Sequence, residues 1–224
     1  MGQGAFGIMK KLVALLSTGL DSPIACYLMM RKGFDIISLS MLNGKEKSEI
    51  NLKKIEKIAQ KLVDLTGRTI YMNYIDYDQY LDDFIKNCDQ KITCILCKRT
   101  MLQLAAELAK KNGAVGIING DILGEQASQT LDNLFVVNEI NNEVPVIRPL
   151  IGFDKLDIIR LSRDCGLYEL SLLEGVGCDK IPQYPETHAK LKFILENEQN
   201  IDRNKIITQM QTSIQTQIIH PSHL

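Results

Sequence analysis

Two hydrophobic rhythms run along the 224-residue chain, and together they predict its elements. Leu12 to Leu16 (LVALL) is a short unbroken apolar run, which predicts a strand buried on both faces. After the turn Ser17 to Pro23, apolar Ile24, Ala25, Leu28 and Met29 recur at helical spacing. Phe34 to Met41 (FDIISLSM) predicts a second buried strand, and Asn43-Gly44 a turn. From Lys47 to Leu65, Ile50, Ile55, Ile58, Ala59 and Leu62 share one side while Lys53, Lys54, Lys57 and Lys61 share another, so an amphipathic helix is expected, closed by Gly67. Arg68 to Tyr74 predicts a third strand, Tyr77 to Asn87 a short helix and Cys94 to Asn112 a long one ending at Gly113. Ala114 to Asn119 (AVGIIN) predicts a fourth strand, followed by Gly120-Asp121.

Alternating strands and helices predict an α/β fold: a doubly wound, mostly parallel five-stranded sheet with helices on both faces. Ligands of such sheets collect at the carboxyl ends of the strands, which puts Ser17 to Ser22, Ser40 to Asn43 and Gly120-Asp121 on one rim. Residues 10–185 form the expected main domain. Residues 186–224 are a C-terminal helical extension and tail, with one helical run at Ala189 to Leu195 and a Gln/Thr/Ile segment that packs across a homodimer or extends the domain.

The first turn has the makings of an anion site. Gly19 permits a left-handed or crowded backbone, Ser17 and Ser22 bring hydroxyl donors, and the following helix adds roughly half a positive charge through its free N–H groups. It is neither a Walker loop nor Gly-x-Gly-x-x-Gly. An unremarkable strand-to-helix turn is the bland alternative.

Composition narrows the class. With 45% hydrophobic residues and a net charge of −1, the chain suits a single well-buried domain and lacks the bias of a disordered protein. No apolar run reaches the 18 or so residues that span a bilayer, and Met1 to Lys10 has no signal-peptide core, so no membrane and a cytoplasmic location are expected. Six cysteines are then thiols, ligands or redox groups. Cys94 and Cys97 lie three apart at the start of a helix, on one face, where the helix-terminal field, Lys98 and Arg99 favour thiolate. Two small buried residues would be the plain alternative. Cys26, Cys88 and Cys165 read as core filling.

The turn Ser17-Thr18-Gly19-Leu20-Asp21-Ser22 resembles the PP-loop of ATP pyrophosphatases, usually Ser-Gly-Gly-x-Asp-Ser, with β-branched Thr18 as a departure that predicts an altered turn. Gly120 to Asn133 (GDILGEQASQTLDN) and Pro145 to Lys155 (PVIRPLIGFDK) are similar to two further segments of the tRNA 4-thiouridine synthetases, the tRNA sulfurtransferases. The resemblance covers roughly residues 10–185 and implies an adenine nucleotide α-hydrolase-like fold. It implies ATP and Mg²⁺, with attack of a uridine carbonyl oxygen on the α-phosphate, release of pyrophosphate, and displacement of AMP by sulfur. By resemblance, Leu15, Leu16, Ser17, Gly19, Asp21, Ser22, Ser40, Met41, Lys98, Gly120 and Gln129 form the ATP site. Asp21 orients the loop or a Mg²⁺ ion. Lys98 or Arg99 brings positive charge to the reacting phosphates, and Arg148 either does the same or joins a structural ion pair.

The resemblance also makes Cys178 the sulfur-transfer cysteine. Cys94, Cys97 and Cys178 match a three-cysteine set that holds a [4Fe-4S] cluster with one iron open; zinc, with His188 as a fourth ligand, a Cys94/Cys97 redox pair and a Cys178 persulfide are alternatives. Expected partners are tRNA and a sulfur donor, sulfide or a persulfide carrier. Relatives carry an N-terminal RNA-binding region, and with only about ten residues before the first strand that module is expected to be missing here. With 26 basic and 27 acidic residues, RNA must then be held by a local basic surface (Lys53, Lys54, Lys57, Lys98, Arg99, Lys110, Lys111) or delivered by a separate RNA-binding chain. Other readings are adenylation of another nucleobase or small metabolite, and a non-catalytic ATP- or AMP-binding subunit.

Overall fold

The computed structural model describes residues 10–43 and 45–222; Gly44 of the expected Asn43-Gly44 turn and the first nine residues lie outside the described residues. Strands β1 (Lys11–Leu15), β2 (Asp35–Leu42), β3 (Ile70–Asp76), β4 (Ile117–Ile118) and β5 (Val146–Ile147) run parallel, in the order β5-β4-β1-β2-β3. A sixth strand, β6 (Gln215–Ile219), pairs antiparallel with β3, so the sheet has one strand more than expected. The tail thus extends the sheet of its own chain. Its residues are exposed except Ile219, so no apolar run announces the strand.

Helices cover both faces, and the pleat decides which residues meet them. Along β1, Val13 faces one core with Ile37, Leu39 and Ile117, while Leu12 and Ala14 face the other with Ile36 and Ile118. The first core is closed by α3 (Asp78–Asn87), α4 (Thr93–Asn112), α5 (Leu131–Glu139), α8 (Leu191–Glu198) and α9 (Arg203–Ser213). The second is closed by α1 (Asp21–Arg31), α2 (Lys45–Thr66) and α6 (Lys155–Asp164), with α7 (Tyr168–Leu172) at its margin. The predicted helices appear within a few residues of their expected bounds. Strand β4 is shorter than the Ala114 to Asn119 run because the chain leaves the sheet at Asn119 and Gly120 to meet the start of α1. Among the described residues, no helix is long and apolar enough to cross a membrane.

Candidate active site

The turn after β1 is held by its own serines. Ser17 N–H donates to Ser22 Oγ (2.8 Å), the two hydroxyl oxygens lie 2.9 Å apart, and Gly19 N–H donates to Ser17 Oγ (3.3 Å). Helix α1 opens with Leu20 at its cap position, which gives no side-chain acceptor to the first-turn N–H groups. Those donors are what an anion would use. Gly19 is not left-handed, and a Cβ there would meet only Ser17 Oγ at 3.5 Å, an ordinary contact. The expected backbone demand falls on Gly120 instead, where a Cβ would come within 2.7 Å of Ser22 N and 2.9 Å of the Asp21 carbonyl carbon.

Beyond β4, buried Asp121 gathers the cations of the rim. Its Oδ1 accepts from Lys98 Nζ (2.8 Å) and Gln129 Nε2 (3.3 Å), and its Oδ2 from Asn119 Nδ2 (2.7 Å) and Arg148 Nε (3.3 Å). Burial pushes the Asp121 carboxyl up, but Lys98 and Arg148 outweigh it and hold it below its ordinary value. Across the loop, Lys155 Nζ reaches both Asp21 oxygens (2.8 and 3.0 Å) and Glu125 (3.4 Å). Lys98, Arg148 and Lys155 therefore arrive with carboxylates already attached, as side chains held in position for an anion would. Ser40 Oγ and Gln129 Oε1 are buried without a hydrogen-bond partner. Such atoms are costly unless something fills the need; Gln129, beside Asp121, is placed for a ligand at the rim, whereas Ser40 has no exposed surface through which one could reach it. Leu15 and half-buried Met41 stand at the ends of β1 and β2, and Leu16 is buried just beyond. Both carboxylates beside the loop carry cation partners, so as arranged they do not fit a protein-held Mg²⁺.

All six cysteines are free thiols. Cys94 and Cys97 occupy the first turn of α4, and Cys178 follows α7 in a loop; the three lie close enough to influence one another's charge. The expected thiolates are not found. Burial pushes Cys97 up to about 12 and raises Cys94 and Cys178, exceeding the help from Lys98 and Lys180. Among the described residues, no group of three or more Cys, His, Asp or Glu is arranged to hold a metal ion. The donor types suit an iron–sulfur cluster or zinc, but this arrangement does not fit either. His188, weighed as a zinc ligand, is turned to Asp132 (3.0 Å). Cys26 is buried and pushed up to about 12, in keeping with core filling.

The family model of the thiamine biosynthesis protein ThiI matches residues 7–203. This chain belongs to the ThiI family. The probable tRNA sulfurtransferase of Methanothermobacter thermautotrophicus is 36% identical over 197 residues, which cover 88% of this chain and 50% of that protein. That of Methanocaldococcus jannaschii is 38% identical, over 82% of this chain and 48% of the relative. The chain thus spans about half the length of the curated relatives it matches. Among solved structures, a 4-thiouridine synthetase–RNA complex with bound ATP superposes with a TM-score of 0.89 at 29% identity, covering 94% of this chain and 55% of the other. An NMN synthetase from Francisella tularensis, at TM-score 0.54 and 13% identity, shares the fold.

Two features of this ThiI-family chain depart from expectation. Arg99 does not face the nucleotide site: it has no exposure and forks onto Glu198 (2.7 and 3.0 Å), with Glu139 at 3.1 Å. It sits one residue from Lys98, and helical rotation alone sends the two side chains to different sides of α4. The expected basic surface is broken up in the same way. Lys54 is buried on the carbonyls of Ser171 and Leu173 (both 2.8 Å), and Lys110 pairs with Glu107 (3.3 Å) and Glu143 (2.6 Å).

Sequence reasoning placed Asp121 on the rim but gave it no role, and it did not single out Lys155, Asn133 or Asn51. Asp121, Lys155 and Asn133 lie inside the family segments. Asn51, on the helix face assigned to solvent and lysines, clamps Val176 by donating to its carbonyl and accepting from its N–H (both 3.0 Å). Together with Lys54, and with the Lys180–Asp82 pair beyond it, Asn51 fixes the loop that carries Cys178.

Proposed function

We propose that the chain is the ATP-dependent sulfurtransferase module that adenylates a tRNA uridine at its C4 carbonyl oxygen, releases pyrophosphate and installs sulfur, giving 4-thiouridine. The observation that carries this reading is the convergence of an uncapped helix N-terminus, three pre-positioned cations and three thiols on one rim of the sheet. A carbonyl oxygen leaves poorly until it is esterified, and attack on the α-phosphate makes AMP the leaving group. Ser17, Ser22 and the α1 N–H groups receive the β- and γ-phosphates. Lys98 and Lys155 exchange carboxylate for phosphate as charge develops, which stabilises the transition state by pre-set electrostatics. Asp21 holds Lys155 in place, and Asp121 holds Lys98 and Arg148.

Cys178 delivers the sulfur as a persulfide whose outer sulfur is transferred from a persulfide carrier, and Cys94 and Cys97 stand beside it. The outer sulfur attacks C4 and AMP departs. A neighbouring thiol then attacks the Cys178 sulfur, freeing 4-thiouridine and leaving a disulfide that an external dithiol reduces. Both tRNA and ATP are met in the cytoplasm, and RNA is gripped chiefly by a separate module. Incubation with ATP, a persulfide-carrying sulfur donor, a dithiol and unmodified tRNA tests the reading: pyrophosphate release that requires tRNA, and 4-thiouridine in the digested RNA, are expected. ATP binding without release would overturn it. Cys178→Ser should release pyrophosphate and form no 4-thiouridine.

A further inference from the structure

Next to Cys94 a groove of about 390 Å³ opens, within the range of small-molecule clefts. Three segments build it: Lys91, Cys94 and Ile95 at the start of α4, Gln126 to Ser128 ahead of α5, and Ile181 with Pro185 from the loop that follows Cys178. Apolar Ile95, Ala127, Ile181 and Pro185 make surfaces that suit a flat ring, with Lys91, Gln126, Ser128 and Glu186 as polar groups.

The groove is held open by hydrogen bonds between its walls. Fully buried Asn133 donates to the carbonyls of Ala127 (2.7 Å) and Glu186 (2.8 Å), and its Oδ1 accepts from Ala189 N–H (3.0 Å). Thr130 Oγ donates to Thr187 O (2.6 Å), and Glu186 N–H to Lys91 O (2.9 Å). A slot so tied needs little ordering when a ligand enters.

Its position is as informative as its shape. Two segments run from the groove into the cation cluster: Cys94 lies one helical turn from Lys98, and Ser128 adjoins Gln129, both partners of Asp121. Asp121 follows β4, whereas Ser40 and Met41 end β2, and the phosphate loop after β1 lies between them in the sheet order. The groove therefore stands on the β4 side, across the phosphate loop from the end expected to border adenosine.

We propose that this groove is the acceptor pocket, taking the target pyrimidine nucleotide flipped out of its RNA, with the ring between the apolar walls, the C4 carbonyl toward Lys98, and Lys91 near the 5′-phosphate. This rests on the reading of the chain as a tRNA-uridine thiolating module. A base buried in a duplex or a stacked loop reaches a catalytic thiol only by such extrusion. Asn133 is a positioning residue that fixes both walls without touching the base.

The probe is uridine 5′-monophosphate at millimolar concentration, and the readout is the rate of alkylation of Cys94, followed peptide by peptide by mass spectrometry on the full chain. Protection of Cys94 by at least threefold is expected, with AMP ineffective. Ala127→Phe, which fills the groove, should abolish protection, thermal melting serving as the check on folding; should it not fold, Ile181→Trp is the second variant. An unchanged Cys94 rate with uridine 5′-monophosphate, or equal protection in the filled variant, overturns the pocket. Because this reads binding without turnover, tRNA-dependent pyrophosphate release with no protection removes the pocket alone, while protection without such release leaves the pocket and removes the thiolation reading.

Discussion

The guanidinium of Arg99 has no exposure and meets two carboxylates, and its removal leaves buried Glu198 with Arg203 as its remaining cation. Breaking a buried pair outright costs about 3–5 kcal/mol; because Arg203 still compensates Glu198, Arg99→Met should lower stability by less, about 1–3 kcal/mol, in chemical denaturation. The same substitution at exposed Lys110 should change little. Asp121 offers a pH prediction. Its folded-state value lies below its ordinary value of 3.8, so the stabilisation is fully present above that pH and is lost as pH falls through the folded value. Acid unfolding followed by circular dichroism should show this loss below about pH 4, and Asp121→Asn should flatten the profile there. Thiol reactivity follows burial: Cys26 and Cys97, both near 12, should alkylate more slowly at pH 8 than Cys94 or Cys178. The residue types of the site were legible because phosphate chemistry leaves few choices, Ser, Gly, Lys and a helix start. Pairings were not: nothing in Lys98-Arg99 says which cation meets Asp121 and which Glu198.

At the level of elements, the alternation of apolar strands with amphipathic helices specified the parallel sheet and its ligand-binding rim. The connections carried a weaker signal. Helix α2 shows why: its lysine-rich side predicts solvent, yet Lys54 and Asn51 on it hold the backbone from Ser171 to Val176. Asn51→Ala should cost about 1–3 kcal/mol, since it leaves backbone groups of Val176 without their partner. Faster amide exchange around Val176 and less 4-thiouridine formed, with ATP binding retained, are the expected readouts. Gly120 is where β4 and α1 come closest. Gly120→Ala drives a methyl into backbone at Ser22, which cannot swing aside as a side chain can. A loss of about 1–3 kcal/mol in denaturation, and weakened ATP binding by calorimetry, should follow.

For the molecule as a whole, 26 basic residues balance 27 acidic ones, and half of the six lysines expected to form a basic surface, Lys54, Lys98 and Lys110, are buried or paired. A surface that neutralises few phosphates has a shallow salt dependence. Filter binding of tRNA to this chain between 50 and 200 mM salt should therefore give a slope well below the 6–10 phosphate contacts of dedicated nucleic-acid binders, about 3 or fewer. Residues that pair far along the chain were the least visible beforehand. Strand β6 has an exposed, polar sequence and is recruited by the open edge of β3, with Thr216 Oγ donating to Asn73 Oδ1 (2.9 Å). That recruitment also has a protective side: without β6 in place, β3 would present an unpaired edge beside the apolar core, a template on which a second chain could add a strand.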